Sequence, residues 1–137
     1  PPVPGALTTL PLLVQAFAGR VWLVSKCGPK VQARTRRWLQ RHAFSQQTGV
    51  PIDHLRFCLQ RPQKADHARQ LQLTHFIDDR LDVLTALRGL VPSLLLFGPQ
   101  RRIISESGWF RAAPSWAAVH GLLLDRSGKP QALSQAD

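Results

Sequence analysis

The sequence predicts an α/β fold: one domain built on a parallel sheet with helices on both of its faces. Short β-branched and apolar runs of strand length alternate with segments whose apolar residues recur at helical spacing. Helices of about 10 residues between strands are the crossovers that parallel strands require, and such connections are right-handed. With 137 residues and 44% hydrophobic side chains, the chain is long enough for one sizeable core and too apolar for global disorder.

The elements follow in order. Leu7, Leu10, Leu13 and Phe17 predict a helix that Pro11 bends or delays and Gly19 stops. Arg20–Val24 reads as a first buried strand. Gly28-Pro29 then opens a helix over about residues 30–43, with Val31, Thr35, Trp38, Leu39 and His42 on its inward face. Thr48-Gly49-Val50-Pro51 is a turn and Leu55–Leu59 a second strand. Gln63–Leu71 is helical with Ala65, Ala68 and Leu71 inward, and Thr74–Ile77 is a third strand. Leu81–Leu87 forms a helix ended by Gly89, Ser93–Phe97 a fourth strand, and Pro114 starts a last helix through Trp116, Val119 and Leu123. Residues 1–126 thus make the domain, and 127–137 a polar, frayed tail.

The formal net charge of +10 is uneven: from Arg20 to Arg41 there are seven basic residues and no acid. This favours anionic partners, either nucleic acid or phosphorylated small molecules. Arg34, Arg37 and Arg41, at i, i+3 and i+7, form a solvated helix surface or, with Arg101 and Arg102, a phosphate-backbone contact. Cys27 and Cys58 lie in or beside apolar stretches and read as a reduced, core-filling pair of a cytosolic protein. The four tryptophans are expected in or against the core. The five histidines show no paired spacing with the cysteines, which argues against zinc. No apolar run reaches the roughly 18–20 residues of a membrane-spanning helix.

The most informative stretch is Phe76-Ile77-Asp78-Asp79-Arg80. Of eight acidic residues, three (Asp78, Asp79, Asp82) fall within five positions, at the end of a strand and the start of a helix. Acids in a first helical turn are one reading. The other is a hard-cation site, because adjacent carboxylates repel unless a cation joins them and Mg²⁺ takes one or two carboxylates with phosphate oxygens and water. Ligands of open parallel sheets bind outside the carboxyl ends of the strands. That rule selects Ser25, Asp78 and Asp79.

Val-Trp-Leu-Val-Ser (21–25), Lys64 and Phe-Ile-Asp-Asp-Arg (76–80), in this order on a βαβ background, resemble motifs two to four of the haloacid dehalogenase superfamily, in its deoxyribonucleotidase-like form. The resemblance covers roughly Leu7 to Gln100, and the Asp-Asp-Arg run with an upstream lysine carries most of it. It implies a three-layer Rossmann-like sheet and a Mg²⁺-dependent phosphatase or nucleotidase acting on a small phosphate ester. In that pattern Ser25 binds phosphoryl oxygens, and Lys64 neutralises phosphate and serves catalysis. Asp78 holds the metal with Asp79 beside it. The family's first motif, an Asp-x-Asp ending a central strand, has no counterpart: residues 1–52 contain no Asp or Glu. The chain as given is therefore expected to lack that central strand and to be inactive on phosphate esters, with a complete gene supplying the strand ahead of Pro1. Alternatively, Val21–Ser25 pairs directly with Thr74–Asp78 and closes the gap. A non-catalytic basic module that binds nucleic acid is the second expectation.

Overall fold

Among the described residues, five parallel strands form in two separate sheets, and the break between them is the defining feature of the architecture. The structure, a computed structural model, describes residues 4–100 and 108–133. In chain order its elements are α1 (Ala6–Ala16), β1 (Leu23–Lys26), α2 (Pro29–Arg41), α3 (Phe44–Thr48), β2 (Leu55–Cys58), α4 (Gln63–Leu71), β3 (His75–Asp78), α5 (Leu81–Leu87), β4 (Ser93–Phe97), β5 (Arg111–Ala113) and α6 (Trp116–Leu123). One sheet is β1-β2, in register from Leu23 opposite Leu55 to Lys26 opposite Cys58. The other is β3-β4-β5, with His75 opposite Ser93 and Leu95 opposite Arg111.

Side chains alternate across a strand, so each sheet feeds two cores. On β4, Leu94 and Leu96 join Val83, Leu84 and Leu87 of α5, Ala68 of α4 and Phe76 of β3. Leu95 points the other way and meets Leu10 and Leu13 of α1 with Val119 and Leu123 of α6. Val24 packs against the first cluster, and Val21 and Ile77 against the second. A run buried on both faces, such as the wholly apolar Leu94-Leu95-Leu96, is what a central parallel strand requires. Helices therefore cover both faces, as predicted.

Several expectations need correction. Val21–Ser25 does not pair with Thr74–Asp78: β1 pairs with β2 and β3 with β4. The first strand also begins later than the apolar run suggests, because its register starts where the Leu23 N–H donates to the His54 carbonyl at 2.9 Å. The expected inward face of α2 is mostly outward: only Leu39 is buried, and Val31 and Trp38 are 45% and 39% exposed. Trp38 rests on His42, ring centroids 4.3 Å apart, and Arg36 lies over the Phe57 ring of β2 at 5.0 Å. The three-residue β5 and the one-turn α3 are too short for a periodic signal. Ser127 onward is not frayed as far as the described residues go. The Asp125 carboxylate accepts from the Ser127 hydroxyl (2.6 Å) and from the Ser127 and Lys129 N–H groups, and Gln131 N–H donates to the Leu123 carbonyl at 2.8 Å.

The two sheets run in the same direction. Just before β1, the Arg20 guanidinium donates to the Leu71 carbonyl just before β3, at 3.3 Å. At the far ends, Lys64 reaches Asp78 of β3 and its charge also acts on the Cys58 thiol ending β2. Between the facing edges of β1 and β3 lies a cavity of about 580 Å³.

Candidate functional site

β3 ends on Asp78, which is buried despite its charge, and the first turn of α4 supplies the compensating cation. Lys64 Nζ donates to Asp78 Oδ2 at 2.8 Å, with the two side chains 11% and 6% exposed. The other carboxylate oxygen, Oδ1, accepts the Arg80 N–H at 3.0 Å and so turns the chain from strand into helix. A buried carboxylate with both oxygens engaged by donors is a fixed group. The motif resemblance brings Lys64 and Asp78 into one candidate site, and the structure places the two side chains in direct contact.

The neighbouring carboxylates diverge. Asp79 is exposed, and its backbone carbonyl accepts from the Gln100 amide at 3.3 Å. Asp82 turns outward to pair with Arg80 at 3.1 Å and also accepts the Val83 N–H. The hydrogen bond from Arg80 holds the Asp82 carboxyl below the usual carboxylate range. Asp82 is thus first-turn helix charge, and Asp78 and Asp79 alone face the cavity.

Ser25 lies on β1, at the same side of the molecule as Asp78, since the carboxyl ends of both strands point one way. Its carbonyl accepts weakly from the Cys58 thiol at 3.8 Å, and its hydroxyl has no hydrogen bond among the described residues. Ser25 does not itself line the cavity, whereas its neighbour Val24 does, with Lys64, Asp78 and Asp79. The cysteines are free, and burial raises the pKa of the Cys58 thiol.

The donor set bears directly on Mg²⁺. Asp78 and Asp79 are adjacent hard-oxygen donors in the number that this ion draws from protein, with water and phosphate completing the shell. Among the described residues they are joined by no third ligand: no group of three His, Cys, Asp or Glu side chains stands together. The set fits Mg²⁺ in chemistry and is shared with the Lys64 ammonium.

Sequence reasoning did not find the amino-terminal half of the cavity wall. Arg20, Trp22 and His75 line it there. His75 Nδ1 lies 2.7 Å from Thr74 Oγ1, its ring meets Phe17 edge-on, and burial followed by the charge of Arg111 lowers its pKa below the usual histidine value. The Trp22 ring stacks on His54 at 4.4 Å, while its indole N–H is buried without a partner among the described residues. Single aromatic and histidine positions leave no periodic trace, so the only available signal was their place beside strand runs. On α2, Arg34, Arg37 and Arg41 are all exposed; Arg101 and Arg102 lie outside the described residues. Comparison with protein-family models, with curated proteins and with solved structures finds no match to this chain.

Proposed function

We propose that this chain is a phosphohydrolase domain of the haloacid dehalogenase type, built to handle a small phosphate ester at the carboxyl ends of β1 and β3. The observation that carries the reading is the buried Lys64–Asp78 pair at 2.8 Å, at the mouth of a cavity and at the sheet edge where parallel folds bind ligands. In this reading Lys64 neutralises phosphate charge and the Ser25 hydroxyl donates to a phosphoryl oxygen. Asp78 and Asp79 would hold Mg²⁺, which would supply positive charge to the transferring group. The chain supplies no acid before Asp53, so a nucleophilic carboxylate has to come from elsewhere.

The test is a p-nitrophenyl phosphate assay with Mg²⁺ on a chain extended at its amino end by an apolar strand ending in Asp-x-Asp. Turnover that vanishes on Asp78→Asn supports the reading. No turnover in a folded extended chain, or turnover indifferent to Asp78→Asn, overturns it.

One observation favours a second reading. α2 is exposed around most of its circumference and presents Arg34, Arg37 and Arg41 with an exposed Trp38 beside them. This is the composition of a nucleic-acid surface, in which cations track phosphates and an aromatic ring stacks on a base. Salt-dependent RNA or DNA binding that survives Asp78→Asn and is lost on combined Arg34→Ala, Arg37→Ala and Arg41→Ala substitution would select it.

A further inference from the structure

We propose that the phosphate ester handled at the carboxyl ends of β1 and β3 is the monoester at the end of a single-stranded nucleic acid, and that α2 holds the neighbouring phosphates of the same strand. The inference deepens the phosphohydrolase reading and rests on it for the terminal phosphate; the strand contacts stand on α2 alone.

Lys30, Arg34, Arg37 and Arg41 recur at i, i+4, i+7 and i+11, which sets four cations in one row along α2. Leu39, the one buried residue of that helix, lies about 180° from Lys30 at roughly 100° per residue, so the row faces straight out to solvent. All four side chains are exposed, and none forms an ion pair among the described residues. No nearby acid in the chain order neutralises them, because residues 1–52 contain no Asp or Glu. Like charges at these spacings repel, and Lys30 stands in the first turn, where the helix dipole disfavours a cation. The row therefore works against the helix that carries it until a polyanion lies along it.

The row also begins at the phosphate site. β1 ends on Lys26, next to Ser25; Lys26 is exposed and has no ion pair among the described residues. Gly28 then caps α2, and Lys30 follows in its first turn. From Lys30 to Arg41 the helix rises about 16.5 Å, the length of roughly five stacked nucleotides. Trp38 stands about 80° round the helix from Lys30, exposed on the flank of the row, where a base can stack on it. Bases in a duplex have their faces covered by their neighbours, so this contact selects a single strand. A mononucleotide at Ser25 and Lys64 would leave the whole row unused.

The experiment measures fluorescence anisotropy of labelled dodecathymidylate with the full chain in Mg²⁺ buffer. One strand carries a 3′-phosphate, one a 5′-phosphate and one neither, and a hairpin duplex of the same length is the fourth probe. The proposal expects one phosphorylated end to bind at least about fivefold more tightly than the unphosphorylated strand. Ser25→Ala is expected to abolish that preference and leave the unphosphorylated strand unaffected. Joint Lys30→Ala, Arg34→Ala, Arg37→Ala and Arg41→Ala substitution is expected to weaken all three strands at least about tenfold. It should also make the slope of log K against log salt shallower by about 2–3, at roughly 0.7 per phosphate contact. Trp38→Ala should weaken the single strands about fivefold or more. These α2 positions are exposed, and circular dichroism checks that each variant keeps its fold. Equal binding of the three strands, a preference that survives Ser25→Ala, a hairpin bound as tightly as the single strand, or an unchanged salt slope overturns the proposal. p-Nitrophenyl phosphate carries no strand, so turnover of the extended chain judges the phosphohydrolase reading separately. Asp78-dependent turnover together with equal binding of the strands keeps that reading and discards this one.

Discussion

Replacing Lys64 by methionine keeps most of the side-chain volume and removes the cation that Asp78 is buried against. At 2.8 Å and an effective dielectric of about 20, the Coulomb attraction of the pair is about 6 kcal/mol, from which the desolvation of two charges is subtracted. Removing one partner of such a pair costs about 3–5 kcal/mol, since the other charge stays buried without compensation. Among the described residues, Asp78 would retain only the Arg80 N–H. Asp78→Asn keeps an acceptor for that N–H and costs less, about 1–3 kcal/mol. The double variant, Lys64→Met with Asp78→Asn, is expected to fall short of the sum by about 2–3 kcal/mol, the coupling of the pair. Urea unfolding followed by circular dichroism measures all four proteins. A coupling below about 0.5 kcal/mol, the range of independent or exposed groups, would refute the claim that the two side chains form one buried unit.

Three further outcomes follow from the same coordinates. Leu95→Ala, at a fully buried position of β4 facing α1 and α6, is expected to cost about 2–5 kcal/mol by chemical unfolding; a loss below about 1 kcal/mol would contradict the packing of that face. His75 has its pKa lowered by burial and then by Arg111, so below about pH 6.5 the unfolded chain binds a proton that the folded chain refuses. The stabilisation from its neutral ring is complete above that pH and is lost as pH falls toward the depressed folded value. Thermal midpoints measured from pH 5 to 7.5 should therefore drop more steeply in the parent than in His75→Gln, and parallel profiles would refute it. Cys58 is buried with a raised thiol pKa, whereas Cys27 is half-buried, so dithiobis-nitrobenzoate at pH 8 should react in two phases separated by about tenfold or more. In denaturant the phases should merge; a single native phase would show that both thiols are equally open.

Much of this molecule was legible in the residue order. Strand runs such as Ser93–Phe97 and helices such as Gln63–Leu71 have the same bounds in both readings, because each carries its whole signal locally: an uninterrupted apolar run in one case, apolar positions on a single face in the other. The proximity of Lys64 to Asp78 was legible through an ordered set of motifs, and the carboxyl-end rule placed Ser25 on the same side. What local order does not contain is which edges find partners. α2 has the spacing of a buried helix, yet of that stripe only Leu39 is buried, while Val31 and Trp38 stay exposed. Asp78 and Asp82 are alike in sequence, yet one is buried on a lysine and the other turns outward to Arg80.

Alternation of apolar runs with helical periods, and the +10 charge, belong to the chain as written, and the alternation determines a parallel α/β core. Whether β1 would meet β3 was decided only in three dimensions. Strand pairing depends on the distance and register of edges brought together in space, and here β1 pairs with β2 and β3 with β4 on either side of a cavity.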